Sequence, residues 1–245
     1  MSKIVDRTLD CFEMFAAQKQ PLSLTEIAKL LAIPASSCRD VLKALQRRGY
    51  VYELTPRGGF YPTLRLYELG KIVAEYDPVL LRAEALLRSL RDLLDESVQL
   101  AKVSGLQATY LLVFESSQPL RMITSVGNPL RSLYATSAGK ALLASLDERM
   151  LESYLESAEL TPLTPHSLRS KKALREQIEA GRKRGWFVNR EESVEGVSTL
   201  ASQFKWRDTL YIVSIAGPTS RIEAKLKWAA QSLLDVCKRL EMRDA

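Results

Sequence analysis

The feature that most limits the fold is an ordered set of helix starts and stops near the N-terminus. Ser23 and Glu26 have the spacing of a capping box, in which each side chain accepts a hydrogen bond from the other residue's backbone amide. A short helix is expected to follow, and Ile33-Pro34 ends it. A second cap at Ser36 or Ala35 is expected to start a third helix, which runs to residue 48.

The segments on either side of this helix pair complete a motif. An amphipathic stretch predicts a first helix that ends at residue 18. Gly49 is expected to take the left-handed conformation that ends the third helix. Two short strands, 50–54 and 60–62, flank a turn-rich tip at 55–59. The order helix, helix, turn, helix, hairpin is that of a winged helix-turn-helix.

Apolar residues at helical spacing predict the buried sides of these three helices. The residues expected to face inward are Val5, Leu9, Phe12 and Ala16 in the first helix, Leu24, Ile27, Leu30 and Leu31 in the second, and Cys38, Val41, Leu42 and Leu45 in the third. The third helix then keeps a second side that is polar.

That polar side suits DNA. Residues 35–48 hold four basic side chains and one acidic side chain, and residues 1–76 as a whole hold 11 basic and 8 acidic ones. Both ranges therefore have the same excess of basic side chains, so this helix accounts for the excess of the whole region. Hydroxyls and free amides at a helix start bind phosphate, and Arg or Lys one turn later reaches bases or backbone. The predicted DNA contacts are Ser36, Ser37, Arg39, Asp40, Lys43 and Arg47 in the helix and Arg57 at the hairpin tip. The alternative interpretation is that this side of the helix is polar only because it faces solvent. For Arg57 the alternative is an ordinary turn residue without a DNA contact.

Two helices, 64–76 and 79–94, are predicted after the hairpin. Asp77-Pro78 separates them, because the residue before a proline avoids helical angles. The apolar side of the first consists of Leu66, Leu69, Ile72 and Val73. We expect the pair to act as a spacer and a dimer contact.

Residues 97–240 mix strands and helices without regular alternation. Strands are predicted at 98–103, 109–115, 121–125, 186–189, 197–204 and 209–216, and helices at 137–144, 147–155, 172–184 and 222–240. This order favours an α+β domain with an antiparallel sheet.

Composition disfavours several classes of protein. The three cysteines are far apart and odd in number, and His166 is the only histidine, so neither a disulfide framework nor a metal site is indicated. No nucleophile elbow, phosphate-binding loop or dinucleotide fingerprint is found, which disfavours an enzyme. The longest uncharged windows have 12 residues, whereas a membrane-spanning helix needs about 20 apolar ones. No signal peptide is indicated, so we expect a cytoplasmic protein without a cofactor or a membrane partner.

Several short segments along nearly the whole chain are each weak as a family signature, but their order and spacing together are specific. They are Ile4-Val-Asp-Arg-Thr-Leu9, Leu22-Ser-Leu-Thr-Glu-Ile-Ala28, Pro34-Ala-Ser-Ser-Cys38, Leu42-Lys-Ala-Leu-Gln-Arg-Arg-Gly-Tyr-Val51, Leu66-Tyr-Glu-Leu-Gly70, Ala135-Thr-Ser-Ala-Gly-Lys-Ala-Leu-Leu-Ala144, Gly185-Trp186 with Glu191-Glu192 and Gly196, and Ser214-Ile-Ala-Gly-Pro218. In these segments the chain resembles the IclR family of bacterial transcription regulators.

The resemblance implies a multidomain α+β protein. It implies a winged helix-turn-helix DNA-binding domain at 1–63, a linker helix at 64–76 and a GAF-like effector-binding domain with an antiparallel sheet at 77–245. Homodimers or tetramers are implied, and a dimer matches a palindromic operator in double-stranded DNA. The effector is implied to be a small organic molecule, frequently a carboxylic or aromatic acid. Its pocket would be lined by Ser137, Ala138, Asn189, Thr199, Ser214 and Ala216. Hydroxyls, a side-chain amide and free backbone amides at a helix start suit a carboxylate.

Two departures from the family pattern bear on specificity. Asp40 stands in the third helix where the family usually has an Arg, and an aspartate favours cytosine amino groups while repelling phosphate. In the pocket, family members often carry an acid near the position of Asn189, and the segment after Thr199 lacks the usual Ala-Pro continuation. Phe204 and Trp206 in that segment either narrow the pocket, stack on a ligand or pack elsewhere.

Two other functions stay open at this point. The chain can be a ligand-independent DNA-binding protein whose C-terminal domain serves only oligomerisation. It can also be a metabolic enzyme with a regulatory head, which requires a set of acid, base or metal ligands in 97–240. The sequence offers no such set, so the regulator is preferred and no catalytic residue is assigned.

Overall fold

The computed structural model describes residues 3–55 and 58–242. The chain forms two compact units that divide between Tyr76 and Asp77. We call them the N-terminal unit and the C-terminal unit and describe each by itself. None of the helices in the described ranges is long and apolar enough to cross a membrane.

The N-terminal unit has the predicted order of helices and strands. Its elements are α1 (Lys3–Gln18), α2 (Leu24–Leu30), α3 (Ala35–Arg47), β1 (Val51–Glu53), β2 (Phe60–Pro62) and α4 (Arg65–Tyr76). β1 and β2 pair antiparallel, with Tyr52 opposite Tyr61. Leu22 and Phe60 exchange two backbone hydrogen bonds of 3.1 and 2.8 Å, which attach the start of α2 to the hairpin. The winged helix-turn-helix prediction is confirmed.

The caps of α2 and α3 differ. At α2 the predicted capping box is present, because the Glu26 amide donates to the Ser23 hydroxyl and the Ser23 amide donates to the Glu26 carboxylate at 2.8 Å. At α3 the prediction of a Ser36 or Ala35 cap was wrong. Pro34 is the capping residue, and α3 begins without a side-chain cap, so both positions lie inside the first helical turn. Gly49 follows α3 with the expected positive φ of 75°.

The buried side of α1 is not the predicted one. Cys11, Met14 and Phe15 enter the core, whereas Val5 and Leu9 are more than half exposed. Because successive residues turn by about 100°, the true buried side is rotated from the predicted stripe by roughly a third of a turn. The apolar residues of α1 cover more than one side of the helix, and the predicted stripe lies on a side that is not the buried one. Two further predicted inward residues, Ala16 of α1 and Leu30 of α2, are also exposed. Ile27, Cys38, Leu42 and Leu45 are buried as predicted.

Helix α4 has no buried residue within the chain. Its predicted apolar side, Leu66, Leu69, Ile72 and Val73, is exposed along its whole length. Such a contiguous exposed apolar face is typical of a surface that another chain covers.

The C-terminal unit is built on one antiparallel sheet. Its elements are α5 (Pro78–Leu94), β3 (Ser97–Ser104), β4 (Gln107–Phe114), α6 (Ser137–Ala144), α7 (Glu148–Ser157), α8 (Lys171–Arg184), β5 (Phe187–Arg190), β6 (Val197–Trp206), β7 (Thr209–Pro218), α9 (Thr219–Ala224) and α10 (Leu226–Glu241). The strand order is β4-β3-β7-β6-β5, and every neighbouring pair is antiparallel. The predicted α+β antiparallel architecture is confirmed.

Three details of this unit differ from expectation. Residues 121–125 were predicted as a strand but form an irregular loop. The predicted single helix 222–240 is two helices, because the chain leaves helical geometry at Lys225. Helix α5 was predicted to be part of a spacer, yet Ala83, Leu87 and Leu94 are buried in the core of this unit.

Two cores lie on the two faces of the sheet. One is formed by α5 and α10 against large side chains such as Leu100, Leu200 and Ile215. The other lies beneath α6, α7 and α8, where the strands contribute smaller residues such as Ala101 and Ala201. Space remains on this second face, and it holds the candidate site.

Candidate functional site

A cavity of about 950 Å³ lies on the second face of the sheet in the C-terminal unit. Its walls come from β3, β6 and β7, the first turn of α6, and the loop that connects β4 to α6. Five of the six predicted effector residues line it, namely Ser137, Ala138, Thr199, Ser214 and Ala216. Its volume is in the range of pockets that enclose a small organic ligand.

The strand sequence explains why there is space here. Side chains alternate between the faces of a strand, so Val213 and Ile215 fill the apolar core on one side. Ser214 and Ala216 point to the other side, as does Thr199 on the neighbouring strand, which pairs with Ala216. These small side chains leave volume that large aliphatic ones would occupy.

The floor of the cavity is polar and mostly paired. The hydroxyl groups of Ser137 and Thr199 are 2.7 Å apart and hydrogen-bonded. Ser214 donates its hydroxyl to Gln99 Oε1 at 2.8 Å, across the pair of strands β3 and β7. Gln99 is 3% exposed and lines the cavity, and its amide nitrogen has no acceptor among the described residues. This nitrogen is not fully enclosed by the protein, so solvent or a ligand in the cavity can accept its hydrogen bond.

The N-terminus of α6 faces the same space. Thr136 caps the helix by accepting from the Gly139 amide at 3.0 Å. The amides of Ser137 and Ala138 precede the first intrahelical hydrogen bond, and both residues line the cavity. Free amides and the positive end of the helix dipole favour an anion at this position.

Gly139 sets how closely the connecting loop approaches α6. A Cβ atom on Gly139 would lie 2.4 Å from the backbone of Leu133. The loop is tied to the same turn by the Thr136 hydroxyl, which donates to the Ser132 carbonyl at 2.6 Å. The glycine therefore allows residues 132–133 to close the cavity directly above the helix start.

The first part of this loop is anchored where α5 meets β3. Asp95 has a positive φ of 47° and caps the C-terminus of α5. Its carboxylate accepts hydrogen bonds from Gln118, from Ser116 and from the amide and hydroxyl of Ser117, and these bonds, led by that of Gln118, lower its pKa from 3.8 to about 2. Ser97 donates to the Met122 carbonyl at 2.8 Å, so the loop is held at a second point.

The outer wall is aromatic. Tyr110, Tyr134 and Tyr154 line it, and burial raises the pKa of the phenols of Tyr110 and Tyr154. Two backbone hydrogen bonds attach Tyr110 to the loop, because its amide donates to the Asn128 carbonyl and its carbonyl accepts from the Gly127 amide. The chain from 127 to 130 thus continues the sheet edge beside β4 and carries the next residue, Arg131, to the rim.

Asn189 does not line the cavity. Its side chain is buried, donating to the Ser193 hydroxyl at 3.0 Å and accepting from the Glu192 amide at 2.7 Å. It shapes the turn after β5, which contributes Ser193 and Val194 to the wall. The structure therefore places this predicted effector residue behind the wall, where it positions its neighbours.

A buried ion pair that the sequence analysis missed supports this wall. Lys140, on α6, is 1% exposed, and its ammonium group lies 2.6 Å from the carboxylate oxygens of Glu192. It also donates to Gln177 Oε1 at 2.6 Å and to the Val188 carbonyl at 3.1 Å. Burial lowers the pKa of Lys140 and raises that of Glu192. The only signal in the sequence was a lysine inside an otherwise small and apolar helix.

Phe204 and Trp206 pack away from the cavity. Phe204 lies in the core on the opposite face and stacks on Tyr211 with ring centroids 5.4 Å apart. Trp206 packs against the same core, and Arg207 lies over its ring. Neither narrows the cavity.

The exposed side of α3 is the second candidate site. Ser36, Arg39, Asp40, Lys43 and Arg47 are exposed, and Ser37 is half-buried. Ser37 and Asp40 also border a shallow groove beside α1, together with Thr8. Arg57, the predicted hairpin-tip contact, lies outside the described residues.

Metal and cysteine chemistry find no support among the residues that the structure describes. No group of three or more His, Cys, Asp and Glu side chains in those ranges could hold a metal ion. Cys11, Cys38 and Cys237 are buried and free, and desolvation raises the pKa of all three thiols, that of Cys237 to about 12. Thiols in this state are poor nucleophiles.

Two family descriptions match the chain. The IclR helix-turn-helix domain matches residues 4–54, and the C-terminal domain described as that of the bacterial transcriptional regulator IclR matches residues 73–241. The second match alone covers more than half of the chain.

Individual proteins are similar over most of their length. The HTH-type transcriptional regulator TtgV of Pseudomonas putida is 31% identical over 235 residues, which cover 95% of this chain and 88% of that protein. The crystal structure of Thermotoga maritima IclR has a TM-score of 0.81 at 24% identity and covers 97% of this chain and 96% of its own. An IclR homologue from Microbacterium hydrocarbonoxydans, crystallised with 4-hydroxybenzoate, has a TM-score of 0.79 at 18% identity and covers 98% of both chains. These two structures share the fold described above.

Proposed function

Because the chain belongs to the IclR family of bacterial transcriptional regulators, we propose that it binds a specific DNA operator and releases or rearranges on it when a small organic acid occupies the cavity of the C-terminal unit. The family consists of regulators, and we assign the chain no catalytic activity. A protein with this role acts in the cytoplasm. Its operator is palindromic, because a homodimer, alone or within a tetramer, presents two recognition helices about 34 Å apart.

The DNA-binding half of the proposal rests on the sides of α3. Its buried stripe, Cys38, Leu42 and Leu45, fixes the helix against the core. The opposite side then presents Arg39 and Lys43 to solvent. A helix held in this way enters the major groove with its first turns against base edges.

Separate substitutions distinguish base contacts from backbone contacts. Arg39→Ala is expected to reduce discrimination between operator and unrelated DNA, whereas Arg57→Ala is expected to weaken binding evenly and flatten its salt dependence. Arg149→Ala, on an exposed side chain of the C-terminal unit, is the control for lost positive charge. Fluorescence anisotropy with both DNAs at several salt concentrations measures all three. An equal loss on every sequence for Arg39→Ala would refute a base contact.

The effector half rests on the cavity. Its floor offers the hydroxyls of Ser137, Thr199 and Ser214 beside the free amides of α6, which together can hold a carboxylate. The relative crystallised with 4-hydroxybenzoate supports an aromatic acid as one class to test. A ligand changes DNA binding only through different affinities for the two arrangements of the protein.

One experiment series tests the whole proposal. In vitro selection of genomic fragments by the purified protein is expected to enrich a few palindromic sites, whose neighbouring genes nominate candidate acids. Each acid is then tested for release of the operator by the native protein and by Ser137→Leu, which is expected to keep DNA affinity and lose the ligand response. If no acid raises thermal stability, which binding at 100 times Kd would do by about 2.7 kcal/mol, the C-terminal unit serves oligomerisation only. Diffuse, strongly salt-sensitive binding would contradict a specific operator.

A further inference from the structure

The lining of the cavity is almost free of charge. Among the described residues that line it, Arg131 is the one charged side chain, and no aspartate or glutamate takes part in the wall. The rest is hydroxyl, amide, aromatic and aliphatic. Arg131 thus supplies the one full charge of the lining, and this charge has the same sign as the partial charge at the start of α6.

The backbone on both sides of Arg131 is fixed. Before it, Pro129 forms a bridge with Thr109, and the Leu130 amide donates to the Ala108 carbonyl at 2.8 Å. After it, Ser132 accepts from the Thr136 hydroxyl through its carbonyl and from the Ala135 amide through its hydroxyl. Arg131 therefore extends from an anchored position on the cavity rim.

The guanidinium of Arg131 has no acidic partner among the described residues. Two other arginines at this end of the unit are paired, because Arg121 lies 2.7 Å from the Glu115 carboxylate and Arg221 lies 2.7 Å from that of Glu96. Arg131 forms no such ion pair and is exposed. The positive charge of Arg131 does act on one neighbour, since it opposes the rise that burial causes in the pKa of Tyr110.

A second observation points to a ligand in the same cavity. Gln99, which is only 3% exposed, lines this cavity, and its amide nitrogen has no acceptor among the described residues. An acceptor group of a ligand would satisfy it. The cavity therefore offers a neutral donor at its floor and a cation at its rim, and three tyrosines take part in its lining.

We propose that Arg131 is the specificity residue that makes the cavity select an organic anion over a neutral molecule of the same shape. The inference rests on the proposed function, since it concerns the same cavity, and it adds a rim residue whose full positive charge reinforces the anion preference of the α6 start. A guanidinium pairs with carboxylate or sulfonate through charge-assisted hydrogen bonds. Because the lining has no acid, no repulsion offsets this attraction.

Two dyes of similar shape test the proposal without knowledge of the natural effector. Anilinonaphthalene sulfonate is an anion, and N-phenylnaphthylamine is its neutral counterpart. Fluorescence titration of the full-length protein gives both dissociation constants, and the signal that Ala216→Phe removes belongs to the cavity. Arg131→Gln is expected to weaken cavity binding of the anion about tenfold, or about 1.4 kcal/mol, and to leave the neutral dye unchanged. Arg131→Lys is expected to retain most of the affinity for the anion.

The matched control is Arg169→Gln. Arg169 is also exposed, forms no ion pair among the described residues and does not line the cavity, so its loss changes net charge equally. It is expected to leave both dyes unaffected. In the native protein, higher salt is expected to weaken the anion and not the neutral dye.

Three results would overturn the inference. They are equal loss of both dyes in Arg131→Gln, unchanged anion binding in that variant, and anion binding that Ala216→Phe does not reduce. None of these measurements includes DNA. The proposed regulatory function can therefore stand if the inference fails, and the inference can stand if ligand binding has no effect on the operator.

Discussion

The two faces of the sheet in the C-terminal unit receive side chains from the same strands and use them differently. On the face covered by α5 and α10, β7 contributes Tyr211, Val213 and Ile215 to a continuous apolar core. On the other face the same strand contributes Ser214 and Ala216 to the cavity. The first face is filled by its own side chains, and the second leaves space for a ligand.

The comparison shows how a cavity survives in a protein that packs tightly elsewhere. Small side chains leave the space, and polar contacts keep the wall from closing it. The Lys140–Glu192 pair joins α6 to the turn after β5, and Ser167 and Thr164 donate to the carbonyls of Glu192 and Glu191 at 2.7 and 2.6 Å. The first face is stabilised by apolar burial throughout, whereas the second combines its own apolar core with specific polar ties around the cavity.

Removal of the Lys140–Glu192 ion pair should have the largest effect on stability. Lys140→Met is expected to lower the free energy of unfolding of the C-terminal unit by about 3–5 kcal/mol, because it leaves a buried carboxylate without a partner. Guanidinium denaturation at neutral pH measures this loss. The double variant with Glu192→Met is expected to recover much of it, since no buried charge remains. A single variant that loses under about 1 kcal/mol would show that the cavity wall does not depend on the pair.

A cavity made on the packed face should cost slightly less. Leu100→Ala removes a fully buried side chain from the apolar core and is expected to lower the free energy of unfolding by about 3 kcal/mol. The dye affinities of the natural cavity are expected to stay unchanged, since Leu100 faces the other side. Altered dye binding in this variant would mean that the two faces are not independent.

A methyl group between α6 and the loop should have an intermediate effect. Gly139→Ala places a Cβ atom against the Leu133 backbone and is expected to cost about 1–3 kcal/mol and to weaken dye binding, because the loop must move. Gly70→Ala is the matched control. No atom lies within 4 Å of its added Cβ, so that variant is expected to stabilise α4 by about 0.5–1 kcal/mol. Similar losses in both variants would contradict the close approach at Gly139.

The smallest expected effect is a loss of stability at acidic pH. Folding lowers the pKa of Asp95 from 3.8 to about 2. As pH falls, the unfolded chain therefore binds this proton first, and the stability that Asp95 contributes above pH 3.8 is lost as the pH approaches 2. Unfolding of the native protein and of Asp95→Asn between those limits is the test. Parallel pH curves for the two proteins would show that the loop anchor does not titrate as expected.

Local patterns predicted the elements, and long-range contacts supplied most of the rest. The Ser23–Glu26 box and Gly49 depend on neighbours within a few residues, and the structure has both as predicted. The prediction of the buried side of α1 was wrong because apolar residues surround this helix, and only its tertiary contacts determine which side is buried. Residues 121–125 contain β-forming residues, but they join no strand of the sheet, and the Met122 carbonyl accepts from the Ser97 hydroxyl instead.

The same limit applies to the cavity. Its small strand residues were assigned from a resemblance and line the cavity, but the partners that complete it are remote in sequence. Lys140 meets Glu192 across 52 residues, and Gln99 meets Ser214 across 115. Asn189 was assigned from its position in a motif, which carries no information on whether a side chain points into a cavity or behind its wall. Arg131 belongs to a loop without a periodic pattern, so its place on the rim followed only from the anchors on either side.

The strand order also determines when the sheet can be completed during synthesis of the chain. The middle of the sheet is β7, which pairs with β3 on one side and β6 on the other, and it is the last strand to be translated. The N-terminal unit is made first and depends on contacts close in sequence, which form fast. A nascent chain that has emerged only as far as residue 208 therefore holds every DNA-contacting side chain proposed above, but it lacks the strand that joins both halves of the sheet. On the ribosome, the sheet that forms the proposed effector cavity is therefore completed after the DNA-binding unit.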